Sequence, residues 1–518
     1  MRTLSAPVVL SSVILAGWLS QAPAQDVQPG LQSGQTPAAS TRAEHLPPGV
    51  IRTPTVADPG TVVGVKLGEL YTDNLHLDSE SQATQGSWVT TIEPFVMTAY
   101  SGPRFSGVLN YTLSGYVYAG SESHTQVSHD LDADGTLVVV PRHLFLAGTA
   151  TYQRAVINHR RPSGSGAYFL DNNRANVGTA TLSPYWVQDL GAVGTMMLRY
   201  TRGRVVYNRD GIQDAHGNLL SGVSDISSDA VNFSIISPRN DKWGWRLVYV
   251  GQRLKPDHGE DLKFATATVG VSRRLGIHLR LLANVGRENR YLPDGSVDEM
   301  GADFWNVGLD WSNARNKFKV LAGHRFYGRS VQLSWNHHAA LVNTRVSYEE
   351  RPTDLNQQLL GRNPGATTQV RLPSSSIPSL LDRRIYLMKR ATVSASLEMR
   401  TGRLSATLYD ESRDYFRGNQ GTEKVANAHL SWLFELGPFT TLTPTFGWQR
   451  YRFLDGQVNY TRYIELAAVH QIDPDNFVSL QLRHGSRDAF AGVRGMPGTH
   501  DYRVNVIYLQ WTHLFGGI

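Results

Sequence analysis

The chain has 518 residues, a formal net charge of +6, a pI near 9.3 and only 18% charged residues, with 48 Gly, 22 Tyr and 11 Trp. It contains no Cys, which excludes a disulfide framework, a thiolate metal site and a lipid-anchored cysteine. No stretch approaches the ~18 consecutive apolar residues of a membrane helix, so residence in a membrane would have to be built from strands.

The opening of the chain has the order of a secretory signal peptide. Arg2 supplies the basic start, Val8 to Leu19 the short apolar run, and Ala22, Pro23 and Ala24 the small-residue site, so processing before Gln25 is expected. Residues 25–60 are rich in Gln, Pro, Ser and Thr and lack periodicity, as a disordered periplasmic tether would.

From Thr61 onward the sequence is a succession of alternating segments ended by Gly, Pro, Asn or Asp. In the clearest one, Phe105, Gly107, Leu109, Tyr111, Leu113, Gly115 and Val117 share one face and Ser106, Asn110, Thr112 and Ser114 the other. Trp243, Trp245, Leu247 and Tyr249 repeat the pattern opposite Arg246. So do Ile277, Leu279, Leu281, Ala283 and Val285, and Trp305, Val307, Leu309 and Trp311.

The gaps between segments alternate short and long. Short ones fall near 101–103, 141–142, 188–192, 238–241, 274–276, 313–316, 337–340, 401–403, 436–438 and 473–476. Longer polar ones fall at 73–87, 120–130, 158–172, 209–224, 255–261, 289–301, 352–384, 417–422, 454–457 and 486–499, with a short bend at Tyr327 and Gly328. That rhythm predicts an all-β fold, a single transmembrane antiparallel β-barrel of a bacterial outer membrane over residues 61–518. The tally favours 22 strands, with 18 or 20 also admissible.

Aromatic residues near segment ends, Tyr116, Tyr118, Tyr185, Trp186, Trp448, Tyr451, Phe453, Tyr508 and Trp511, are expected in interfacial girdles; ordinary cross-strand packing is the alternative. Charged side chains are costly against lipid, so the strand residues Arg199, Arg202, Arg246, Arg280, Arg345 and Arg483 are candidates to line the lumen. There they would either attract anionic solutes or pair with lumenal carboxylates.

Short motifs along residues 60–515 resemble a known family. Tyr71, Thr72, Asp73 and Asn74 are similar to its opening motif, and Gly323, His324, Arg325, Phe326, Tyr327 and Gly328 to its Arg-Phe-Phe-Gly segment, followed by Leu333, Ser334 and Trp335. Val346, Ser347, Tyr348 and Glu349 resemble a strand end, Ile385 through Tyr415 a basic hairpin, and Asp501, Tyr502, Arg503, Val504 and Asn505 the last strand. The family is that of PEP-CTERM system-associated outer-membrane proteins, related to β-barrel porins of exopolysaccharide loci. Two departures stand out: Val504 replaces a usual Glu, and Phe515 is followed by Gly516, Gly517 and Ile518 where barrel assembly favours a terminal aromatic. The resemblance implies a pore or scaffold accompanying exopolysaccharide export or protein sorting. Its partners would be outer-membrane lipids, the barrel-assembly machinery, anionic exopolysaccharide and periplasmic polysaccharide-export proteins.

Other chemistry finds little support. Asp130, Asp132, Asp134 and Gly135 imitate the start of a calcium loop, but the twelfth position is Pro141, which has no ligating oxygen. His337 with His338, and His124 with His129, lack acidic partners and read as turn or loop residues. No nucleophile, base and orienting group form a local signature, so no enzyme and no cofactor are expected. Scattered basic residues do not form the tract a nucleic-acid partner requires. A receptor-type transporter is the main rival, although the Pro/Gln-rich N-terminal stretch is short for a folded plug; a purely structural envelope anchor is the third reading. The 352–384 loop, with apolar Ile377, Leu380 and Leu381, is expected to fold inward as a constriction.

Overall fold

The structure, a computed structural model, describes residues 60–79, 84–120, 125–164, 166–171, 173–208, 224–238, 242–361, 380, 384–417, 421–490 and 501–517. The signal peptide, the tether up to residue 59, His124, Ile377 and Leu381 lie outside the described residues, and Gly60, assigned to the tether, opens the first strand.

Strands follow one another along the chain: β1 (Gly60–Thr72), β2 (Ser87–Ser101), β3 (Phe105–Tyr118), β4 (Thr125–Val140), β5 (Leu144–Val156), β6 (Arg174–Asp189), β7 (Thr195–Tyr207) and β8 (Ile226–Ile236). Next come β9 (Trp243–Pro256), β10 (Leu262–Arg274), β11 (Leu279–Tyr291), β12 (Val297–Ser312), β13 (Asn316–Arg325), β14 (Gly328–His338) and β15 (Val342–Thr353). A short helix, α1 (Leu355–Leu360), precedes β16 (Tyr386–Met399), β17 (Gly402–Tyr415), β18 (Thr422–Gly437), β19 (Thr440–Arg452), β20 (Val458–Gln471), β21 (Asn476–Phe490) and β22 (Tyr502–Gly517).

Each strand pairs antiparallel with its sequence neighbours, and β1 pairs with β22, Leu70 facing Tyr508, so the 22-stranded sheet closes on itself. Closure leaves no sheet edge, the condition for strands to cross hydrocarbon. The connections after even-numbered strands are short and those after odd-numbered strands generally longer, which puts the long loops at the end that faces outward in outer-membrane barrels.

Period two separates two faces. On β2, Trp88 and Ile92 are exposed while Val89, Thr91, Glu93, Phe95 and Met97 are buried. On β9, Trp243, Trp245, Leu247 and Tyr249 stand outside, with Val248, Val250 and Leu254 inside. The outer face is therefore the apolar one and the inner face carries a mixture of polar and aromatic groups, the reverse of a soluble protein.

Three expectations need correcting. The 120–130 gap ends early, because β4 begins at Thr125; Asp130, Asp132 and Asp134 are strand residues on the inner face, registered with Thr112, Asn110 and Val108. His129 takes the outer face and bonds the Tyr111 hydroxyl at 2.8 Å. The 289–301 gap is shorter than expected, as β11 continues to Tyr291 past a register shift and β12 resumes at Val297. The aromatic set is also divided: Trp186 and Trp511 are exposed outside, whereas Tyr116, Tyr118, Tyr451, Phe453 and Tyr508 are buried inside. Adjacent positions on a strand point opposite ways, so Tyr185 and Trp186 cannot share a girdle.

Candidate functional site

The site is the lumen beneath the long-loop mouth. A 22-strand circumference encloses a wide interior that side chains of the wall alone do not fill. Two loops turn into it.

The first leaves β15 at Thr353. Asp354 caps α1: its carboxylate accepts from the backbone N–H groups of Asn356 at 3.1 Å and Gln357 at 2.9 Å. Burial pushes this carboxyl above its ordinary range, opposed by those hydrogen bonds. Leu355 and Leu359, four residues apart on one helix face, enter a cluster with Ala155, Val177, Val205, Ile226 and Leu254 of β5 to β9. Burial of each leucine stabilises that position by ~1.5–3 kcal/mol.

Seven strands, β8 to β14, separate β7 from β15 on the shorter way round. A helix rooted on β15 can touch β7 only by crossing the interior. Polar bonds fix it there. The Tyr207 hydroxyl donates to Asn356 Oδ1 at 2.6 Å, and Gln357 Nε2 donates to Gln252 Oε1 at 2.9 Å. Gly203 leaves room for the helix, since a Cβ there would lie 3.0 Å from Leu360 Cδ2. The backbone N–H of Leu380 donates to Ile157 O at 3.1 Å, joining this loop to the second.

The second loop, residues 157–173, spans toward β19 to β22. Arg487 donates to the carbonyls of His159 at 3.1 Å, Arg160 at 2.6 Å and Arg161, and Asn459 donates to His159 O at 3.1 Å. Arg160 meets Asp455 at 2.6 Å and lies over the Phe453 ring, and Phe169 packs with Leu70, Leu75, Leu77, Tyr116 and Tyr502. Asn74 holds the neighbouring turn by bonding Asp78 O at 2.9 Å and Arg503 O at 3.0 Å, and Asn505 donates to Asp73 at 2.6 Å. The opening and closing motifs seen in the sequence therefore meet at the β1–β22 seam.

Behind α1 the wall of β16 to β19 carries a buried ionic network. Glu411 accepts from Arg390 Nε at 2.8 Å, from Arg413 Nε at 2.5 Å and from the Tyr409 hydroxyl. Arg413 Nη1 donates to the Tyr451 hydroxyl at 2.8 Å, which donates to Glu423 at 3.1 Å. Both Glu411 and Arg413 have side chains 0% exposed. Buried charges persist only when paired and hydrogen-bonded, and here each is. Gln358 of α1 closes the circuit: its carbonyl accepts from Arg390 at 3.1 Å and its amide donates to the Tyr386 hydroxyl.

Of the six candidate arginines, Arg199, Arg246, Arg280, Arg345 and Arg483 stand on the inner face and Arg202 on the outer. Arg199 stacks over Tyr185 at 4.4 Å, Arg246 donates to Asn284 at 2.9 Å, Arg345 to Asn336 at 2.8 Å and Arg483 to Glu465 at 3.2 Å. Arg202 shares its face with exposed Leu198, Tyr200 and Val206 and pairs with Asp229 at 2.5 Å. Three residues after Arg199 is an odd step, so both could not face inward. The 158–172 connection was expected from the sequence, but neither its inward turn nor the Glu411 network was. The network's signal was present in Tyr409, Glu411, Arg413 and Tyr415, four alternate positions of one strand with polar or charged groups.

Among the described residues no group of three or more His, Cys, Asp or Glu could hold a metal ion. No family model and no curated protein sequence matches the chain. Solved structures with a similar outline include the FrpB iron transporter from Neisseria meningitidis, at 11% identity, TM-score 0.47, covering 88% of this chain and 82% of that one. The siderophore receptor PirA from Acinetobacter baumannii follows at 6%, 0.45, 88% and 80%. The ferric enterobactin receptor PfeA from Pseudomonas aeruginosa, crystallised as a mutant with enterobactin, stands at 9%, 0.44, 88% and 82%. Likeness at this level carries nothing about substrate. The closed cylinder and its apolar outer face define the class on their own: a transmembrane β-barrel of the outer-membrane type.

Proposed function

We propose that the chain is a gated outer-membrane conduit for small solutes, a transporter whose resting state is closed by α1. The observation that carries this reading is the position of α1, which roots on β15 yet buries Leu355 and Leu359 against β5 to β9. A scaffold has no use for a helix across its interior, whereas a passage that opens on demand needs a movable obstruction held by a modest number of contacts. The contacts suit that role: two buried leucines and a few hydrogen bonds, that from Arg390 to Gln358 included, set beside a rigid ionic wall.

An engineered cysteine pair tests it, because the native chain has no thiols to interfere. Gly203→Cys with Leu360→Cys, inserted in a planar bilayer, is expected to show gate openings under reductant and to lose them under oxidant. Equal current in both states would refute a gate at α1. Absence of current from folded, inserted protein in either state would favour the structural anchor. Export of exopolysaccharide, which the family resemblance implies, is decided in the same recordings: block by an added acidic polysaccharide would favour it over the small-solute reading.

A further inference from the structure

Charge is distributed unevenly around the lumen. On the consecutive strands β9 to β15, Arg246, Arg274, Arg280, Lys317, Lys319 and Arg345 all lie within four residues of the short-turn ends. The registers place them on the inner face. Arg246 aligns with Gly270 and then Asn284, Arg274 with Arg280, Asp310 and Lys319, and Lys317 with Asn336 and Arg345. Among the described residues, the carboxylate that these strands place on that face within the same span is Asp310.

Neutral amides hold part of this wall in shape. Arg246 donates through Nε at 3.2 Å and Nη2 at 2.9 Å to Asn284 Oδ1, and Asn284 donates to Asn306 at 2.6 Å. An amide orients a guanidinium without cancelling its charge. On the other side of the lumen β4 presents Asp130, Asp132 and Asp134 inward. The interior thus has a basic wall and an acidic strand, and a passage walled by low-dielectric material focuses such a field on whatever passes through.

We propose that the basic wall of β9 to β15 is the selectivity element of the conduit and that the solutes it takes are anions carrying carboxylate or phosphate groups. The inference rests on the conduit reading above and gives it a substrate class.

The test uses the full chain with the gate displaced by Gly203→Val, recorded across a potassium chloride gradient, so the probes are potassium and chloride. The reversal potential of this parent should lie on the anion side of zero. Adding Arg246→Gln, Lys317→Gln and Lys319→Gln should move it toward the cation side. A parent that prefers potassium, or a reversal potential unmoved by the triple change, would overturn the selectivity assignment and leave the conduit standing. No current from folded, inserted parent would overturn the conduit itself and this inference with it. The sign measured for the parent decides the matter even where the triple variant misassembles.

Discussion

Arg390 and Gln358 are hydrogen-bonded at 3.1 Å, which ties a side chain of the inward-turned helix to the arginine that also grips Glu411. The obstruction and the wall are thereby one polar assembly. Motion of α1 must break the Gln358 bonds while leaving Glu411 with both its arginines. The network is the fixed post and the helix the moving part.

Removal of the Glu411 carboxylate should damage the post. Glu411→Ala leaves Arg390 and Arg413 without their shared acceptor in a dry environment, at a cost of ~3–5 kcal/mol. Heat-dependent gel mobility of the folded barrel should show a clearly lower transition. Arg202→Ala, which leaves Asp229 still paired with Lys255 at 3.4 Å, should lower it far less.

Crowding at Gly203 should free the helix without touching the network. Valine there places carbon atoms against Leu360, where even a Cβ comes within 3.0 Å. Gly203→Val should raise bilayer conductance and speed modification of a Gln357→Cys thiol by an impermeant reagent. Unchanged labelling would mean that the helix does not depend on this contact.

Asp354 gives closure a pH dependence. Burial raises its folded pKa, so its contribution to the closed state is complete below the unfolded value of ~3.9 and is lost as pH rises through the higher folded value. Current through wild type should therefore increase across that window as pH rises. Asp354→Asn, which keeps a capping side chain, should flatten the curve.

The division of faces makes a prediction by depth. Leu109→Arg puts a cation against hydrocarbon in the middle of β3, costing ~2–4 kcal/mol, while Asn110→Arg points into water and should be tolerated. Folding yield into lipid vesicles separates the two.

Strand number and face assignment were legible because period two and the alternation of short and long gaps are local properties of the chain. Trp243 to Tyr249 needed no partner to reveal their outer face. An inward turn of the 352–384 loop was anticipated from its apolar residues, and of those that are described Leu380 is buried, as are Leu355 and Leu359 of α1. Its destination was not legible. Tyr207 and Asn356 are 149 positions apart, and only the closed circumference brings them together. The same holds for Arg487 and the carbonyls of residues 159–161. Arg202 was misread because hydrophilicity was weighed without parity, although its odd distance from Arg199 was in plain view.

The measurement that bears most directly on the closed lumen is the distance between spin labels on Leu360→Cys of α1 and Thr201→Cys of β7, taken by pulsed electron resonance in native outer membranes. One narrow population at short separation is the result this account predicts. A broad distribution at long separation, with the α1 label exposed to the outside medium, would contradict it.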